Sequence, residues 1–145
     1  MNRFKRYLPN LLKYIFLLYF GGSLYLTIEV FYRGYSHQSM FVAGAIAFVI
    51  VGGLNNWFEW EWSILLQMLI GGIAITAIEL IFGLILNVQL GLDIWDYSDK
   101  MGNFRGQICI EYSVKWCMLS AVGIVIDDVI RWRFFGETKP RYRLI

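Results

Sequence analysis

Four ionisable side chains interrupt the long apolar stretches of this 145-residue sequence: Glu29, Glu79, Glu111 and Lys115. A charged side chain is costly in a hydrocarbon environment, so such residues are candidates for a binding site. Glu111 and Lys115 are four positions apart, so on a helix they share a face and can pair. We therefore predict that these four residues line a pocket for a small solute or ion.

The same residues fit two other roles. A Glu–Lys pair and two further carboxylates can tie helices together through hydrogen bonds, with some carboxylates protonated. Carboxylates can also serve as general acid and base, in which case Glu79 and Asp96 are expected to be indispensable. No catalytic residue is assigned, and binding is expected ahead of enzymatic activity.

Several kinds of chemistry lack their sequence motifs. The chain has no nucleotide-binding loop and no GxSxG, HExxH or CxxC motif, so we expect no bound nucleotide and no cofactor. His37 stands alone in an RGYSHQ segment and is interpreted as a solvated loop residue, not a metal ligand. Cys109 and Cys117 would lie about 12 Å apart along a helix, too far for a disulfide, and are predicted to be reduced.

The elements that must position these residues are predicted from composition. The sequence is 58% hydrophobic and only 17% charged, whereas soluble domains average about 25% charged residues. Four stretches, at about residues 11–32, 40–57, 62–90 and 108–130, have the apolar length that a membrane crossing needs. We predict a single all-α domain over residues 1–145, an integral membrane bundle of four transmembrane helices. The third stretch is longer than one crossing, with Gly71, Gly72 and Gly83 as candidate kink points.

The basic residues predict the orientation. Nine of the 13 Lys and Arg residues lie within the first 13 or the last 15 positions. By the positive-inside rule, the basic tails 1–10 and 131–145 are cytoplasmic, and the protein is a multi-pass protein of the cytoplasmic membrane. Tryptophans 57, 60 and 62 are expected to form an interfacial belt.

This orientation places the four ionisable residues in the outer half of the bilayer or at its middle, beneath the two outer connections. We predict that these connections form a lid over an outward-facing pocket. The predicted lid residues are Arg33, Trp95, Asp96, Tyr97, Ser98 and Asn103.

The expected partners follow from the same features. The chain is surrounded by lipid, and four helices are few for a complete transporter, so a homo-oligomer or a partner membrane subunit is expected. Small residues suit such helix contacts; the candidates are Gly44, Gly52, Gly72, Ala77, Ala121 and Gly123. A net charge of +2 is too small to indicate nucleic acid binding.

One order of residues resembles a known family. Glu79 is followed by a WDYS segment at 95–98, by Asn103 and Gly106, and then by Tyr112 and Trp116. This order is similar to that of the putative ABC-transporter type IV family of small bacterial membrane proteins, over roughly residues 20–130. In the first half the family's proline-containing segment is replaced by YSHQSMFVAG. The resemblance implies a polytopic, permease-like membrane protein.

We therefore expect a transport-related membrane component that binds a small solute or ion. Two alternatives remain open at this point. One is a holin-like or pore-forming oligomer. The other is a membrane enzyme that acts on a lipid or an exported substrate at the outer leaflet.

Overall fold

The computed structural model describes residues 3–58 and 62–145, with side chains from Pro9 onward. Trp60 of the expected interfacial belt lies outside these residues. The helices are α1 (Arg3–Arg33), α2 (Gln38–Gly52), α3 (Leu54–Trp57), α4 (Ile64–Gly83) and α5 (Ile110–Phe135), and α4 continues into a π-helical turn, π1 (Leu84–Gln89). Within the described ranges no strand is present, only two isolated bridges. The all-α class is therefore confirmed.

Local chemistry explains where the helices begin and end. The His37 side chain accepts a hydrogen bond from the backbone N–H of Ser39 at the start of α2, and Ser63 caps α4 in the same way through Leu66. At the other extreme, α5 runs five residues beyond its predicted end. It stops at Gly136, whose φ of 67° is the left-handed conformation that favours glycine.

The second and third predicted helices differ from the structure in detail. The stretch predicted at 40–57 is broken at Gly53, where a turn separates α2 from α3. The stretch predicted at 62–90 changes from α to π geometry directly after Gly83, one of the candidate kink points. A Cβ at Gly83 would lie 2.6 Å from the Gln107 Oε1, so the bare glycine lets the following loop approach the helix.

The helices pack as two pairs, and α2 connects one pair to the other. α1 packs along α2 and α4 packs along α5, while α2 also contacts α4 and α5. Both chain ends meet at one end of the bundle, the terminal end, where Lys13 forms a 2.6 Å ion pair with Glu137. The connections 34–37 and 90–109 meet at the other end, the loop end, where Arg33 donates a hydrogen bond to the Ile94 carbonyl.

The outside of the bundle is unusually apolar. Pro9–Arg33 and Ile64–Gln89 are long and apolar enough to span a membrane, and only 17% and 22% of their most apolar windows are buried. The core helix of a soluble protein would be mostly buried. Large apolar side chains such as Phe31 and Ile73 are instead 88% and 62% exposed. The exposed surface is therefore of the kind that lipid covers, which indicates a membrane protein.

Candidate functional site

A polar anchor at the end of the α4–π1 helix holds the 91–109 loop in place. The buried Asn87 amide donates to the Trp95 carbonyl (3.0 Å) and to the Gln107 Oε1 (2.8 Å), and its oxygen accepts from the Ile94 N–H (2.7 Å). The Trp95 indole N–H donates to the Gln107 carbonyl at 3.0 Å. Asn87 and Gln107 were not among the site residues predicted from the sequence, although both are amide side chains at the edges of apolar stretches.

Three of the predicted lid residues shape the loop. The Asp96 carboxylate accepts from the Ser98 N–H at 2.9 Å and from the Ser98 hydroxyl at 2.5 Å, and these bonds hold the pKa of Asp96 below its usual value. The Asn103 amide donates to the carbonyls of Ser98 (3.2 Å) and Lys100 (3.0 Å). All three side chains are exposed, so they fold the loop over the bundle and do not enter it.

Tyr97 is the lid residue that reaches the bundle interior. Its hydroxyl donates to one carboxylate oxygen of Glu79 at 2.9 Å, and the Trp116 indole N–H donates to the other at 2.9 Å. Glu79 is only 8% exposed. A helix carboxylate, the loop and α5 are therefore joined at one buried point, and both oxygens are held by neutral donors.

Glu29 lies near the end of α1, beside the 34–37 connection. Its carboxylate pairs with Arg33 one turn later at 2.5 Å and accepts a hydrogen bond from the Ser36 hydroxyl. Arg33 in turn donates to the Ile94 carbonyl at 3.2 Å. This arrangement ties the end of α1 to both connections at the loop end.

Glu111 and Lys115 pair as predicted, but at the surface. Their ion pair is 2.7 Å long, with side chains 49% and 43% exposed, and Lys100 lies 3.8 Å from the same carboxyl group. The Lys115 ammonium also lies over the Tyr112 ring, 4.4 Å from its centre. The predicted pocket residues therefore form three separate groups, of which only Glu79 is held by neutral donors alone. Whether they bind a solute stays a prediction.

A cleft connects these groups between α1 and α5. A cavity of about 400 Å³ lies at the loop end, and one of about 150 Å³ lies deeper, with Glu79 in its wall. The two cavities share part of their lining, so they are adjacent, and we call the two together the α1–α5 cleft. The shared residues are Tyr25, Ile28, Trp116, Leu119 and Val122.

Aromatic rings form the wall of the cleft near Glu79. Tyr97 stacks on Tyr112 with ring centres 4.5 Å apart, and Tyr25 lies 6.1 Å from Trp116. The rest of the lining is mainly aliphatic. Within residues 3–58 and 62–145, no three His, Cys, Asp or Glu side chains lie close enough together to hold a metal ion.

A second buried charge cluster lies at the terminal end. Asp127 is fully buried and pairs with Arg131 at 2.5 Å. Asp128 accepts hydrogen bonds from the Asn55 amide (2.6 Å) and from the Tyr142 hydroxyl (2.9 Å). The cluster joins α3, α5 and the C-terminal tail. The sequence signal was the proximity of two acids and an arginine near a helix end, but their partner Asn55 lies 73 residues away along the chain.

Comparisons with known proteins add the family. A search of curated proteins and a search of solved structures each find no match to this chain. A family model described as "Putative ABC-transporter type IV" matches residues 14–144, which include every residue that lines the cleft. The chain belongs to the putative ABC-transporter type IV family.

Proposed function

We propose that this protein is a multi-pass component of a transport system in the cytoplasmic membrane and that it binds a small solute or ion in the α1–α5 cleft. The observation that carries the proposal is Glu79, a carboxylate buried at the wall of a cavity and roofed by a loop. Burying a carboxylate away from any cation is costly, so its presence favours a functional role. Membership of a transporter-related family supports the same conclusion.

In this proposal the bundle crosses the membrane four times. The crossings are α1, α2 with α3, α4 with π1, and α5. α5 has 26 residues and is about 39 Å long, whereas the 15 residues of α2 give only about 22 Å, so α3 extends the second crossing. The basic residues concentrate at the terminal end, which is then cytoplasmic. The loop end and the mouth of the cleft face outward.

The proposal includes a partner. The chain carries no nucleotide-binding loop, so energy for transport comes from another subunit or from an ion gradient. The exposed apolar outer surface leaves room for a second copy or a partner membrane subunit.

The test compares two glutamates of one chain. Everted vesicles that contain the protein with its native partners are assayed for solute and ion flux, together with folded yield in detergent. Glu79→Gln is expected to lose flux at unchanged yield, while Glu137→Gln, at the terminal end and outside the lining of the cleft, is expected to retain it. Flux that equals that of vesicles without the chain, or flux retained in Glu79→Gln, overturns the proposal.

A further inference from the structure

We propose that the ligand of the α1–α5 cleft is a hydrophobic organic cation and that Glu79 supplies its counter-charge. This inference rests on the proposed function, because it names the chemical class that the same cleft takes. It is argued from the charges, the aromatic wall and the aliphatic lining of the cleft.

Among the residues that the structure describes, Glu79 is the one charged group in the cleft lining without an oppositely charged partner. Each of the other described glutamates has a basic partner within 2.7 Å: these pairs are Glu29 with Arg33, Glu111 with Lys115, and Glu137 with Lys13. The two basic residues in the cleft lining, Arg33 and Lys115, are therefore already paired. Glu79 is held by the Tyr97 hydroxyl and the Trp116 indole, which are neutral. A ligand that balances the charge of the cleft is therefore positive.

The wall next to Glu79 suits a cation without its water shell. Tyr25, Tyr97, Tyr112 and Trp116 line the outer cavity, and aromatic faces attract cations. One cation already uses this wall, since the Lys115 ammonium lies 4.4 Å from the centre of the Tyr112 ring. The aromatic rings and the Glu79 carboxylate therefore both attract a positive charge.

The remaining lining excludes a bare metal ion. Hard cations require several oxygen ligands at short distance, whereas the deeper cavity is lined mostly by aliphatic side chains and offers few oxygen atoms besides those of Glu79. An organic cation needs one counter-charge and apolar contact for the rest of its surface. The cleft provides both.

Access to the cleft is lateral. Ile28 of α1 and Val122 of α5 belong to its lining and remain 38% and 53% exposed, so the cleft is open between the two helices. In a membrane this gap faces the acyl chains. A hydrophobic cation that is concentrated in the bilayer therefore reaches Glu79 without crossing the loop.

Two probes of nearly the same shape and opposite charge test the inference. Tetraphenylphosphonium and tetraphenylborate are titrated separately into the full-length protein in detergent, with protein-free micelles as the blank for partitioning. We expect the phosphonium to bind at least about tenfold more tightly than the borate, equivalent to ~1.4 kcal/mol. Equal affinities would mean that the cleft is only apolar and would overturn the inference.

Variants then locate the charge. Glu79→Gln is expected to lose the preference for the phosphonium, and the matched control Glu137→Gln, at the terminal end and outside the lining of the cleft, is expected to keep it. Glu79→Asp retains the charge and is expected to retain the preference, so it replaces Glu79→Gln as the informative variant if the glutamine protein does not fold. Wild-type phosphonium binding by folded Glu79→Gln, or a lost preference in folded Glu79→Asp, overturns the assignment.

The two proposals fail in different ways. Flux that depends on Glu79, with no preference for the phosphonium, refutes the organic cation and leaves the transport role intact. Phosphonium binding that depends on Glu79, in vesicles that show no flux, refutes transport and leaves the binding site intact.

Discussion

Asn87 shows how one neutral side chain can hold a loop over a helix bundle. Its amide satisfies a donor and two acceptors from the 94–107 segment, and it is 8% exposed. Backbone groups that are buried without partners are costly. The geometry of the loop above Glu79 therefore depends on a residue that carries no charge and does not line the α1–α5 cleft.

Replacing Asn87 with Leu is expected to destabilise the protein. The change leaves the Ile94 N–H, the Trp95 carbonyl and the Gln107 Oε1 without their hydrogen-bond partner. Each buried polar group without a partner lowers the free energy of unfolding by about 1–3 kcal/mol. The expected result is a lower thermal midpoint in detergent, read by tryptophan fluorescence. Gln89→Leu, two residues later and exposed, is the matched control and is expected to change the midpoint little. An unchanged midpoint for Asn87→Leu would show that the amide does not hold the loop.

The sequence pattern identified charged site residues but not the neutral residues that hold the loop. Glu79 was identified because an ionisable residue in an apolar stretch is rare. Asn87 and Gln107 were missed because an amide near a helix end is common, and its partners here are 7 to 20 residues away along the chain. For Glu111 and Lys115 the helical spacing correctly predicted the pair, but spacing carries no information about which way that face points.

Close approach of helices is set by a few glycines. A Cβ at Gly72 of α4 would lie 2.8 Å from the Cα and 2.9 Å from the N of Cys117 on α5. Gly44 faces Tyr25, and Gly52 faces the Asp127 side chain. These three glycines were predicted as faces for contacts with other subunits, and the structure uses them within the chain.

Gly72→Ala is expected to push α4 and α5 apart. Backbone atoms cannot move aside cheaply, so overpacking is expected to cost about 1–3 kcal/mol, more than the helix propensity gained from alanine. Gly123 is the matched control, since the nearest atom to its Cβ would be the Val51 Cγ1 at 3.7 Å, an ordinary contact.

The measurement is the thermal midpoint of each variant, with a decrease expected for Gly72→Ala only. Because Glu79 on α4 is bonded to Trp116 on α5, the Gly72 variant is also expected to change the indole fluorescence. Equal midpoints for Gly72→Ala and Gly123→Ala would contradict the close packing of α4 against α5.

Helix positions were easier to predict than helix ends. Apolar length located the long helices, because hydrophobic content accumulates over about 20 residues. The turn at Gly53 and the π geometry of 84–89 were not predicted, since each depends on packing against distant segments such as Asp127 and Gln107. The extension of α5 to Phe135 likewise follows from Gly136 and from the tail that returns to Ser63.

The two ends of the whole molecule differ in charge and in structure, and this difference bears on its orientation in the membrane. Charged tails, the Lys13–Glu137 pair and the Asp127–Arg131 cluster lie at the terminal end, while the ordered loop and the mouth of the cleft lie at the other. If the terminal end faced outward, the cleft would open to the cytoplasm and the direction of binding would reverse. The orientation therefore decides which compartment supplies the ligand.

Site-directed labelling tests this orientation. In a background with Cys109→Ser and Cys117→Ser, single cysteines are placed at Asp99 in the exposed loop and at Thr138 in the exposed tail. Intact cells are treated with a membrane-impermeant maleimide, and permeabilised cells provide the total. We expect the cysteine at position 99 to react in intact cells and the cysteine at 138 to react only after permeabilisation. The opposite pattern would invert the topology, and labelling of both sites in intact cells would contradict the crossing of α5, because α5 is the helix that lies between the two sites.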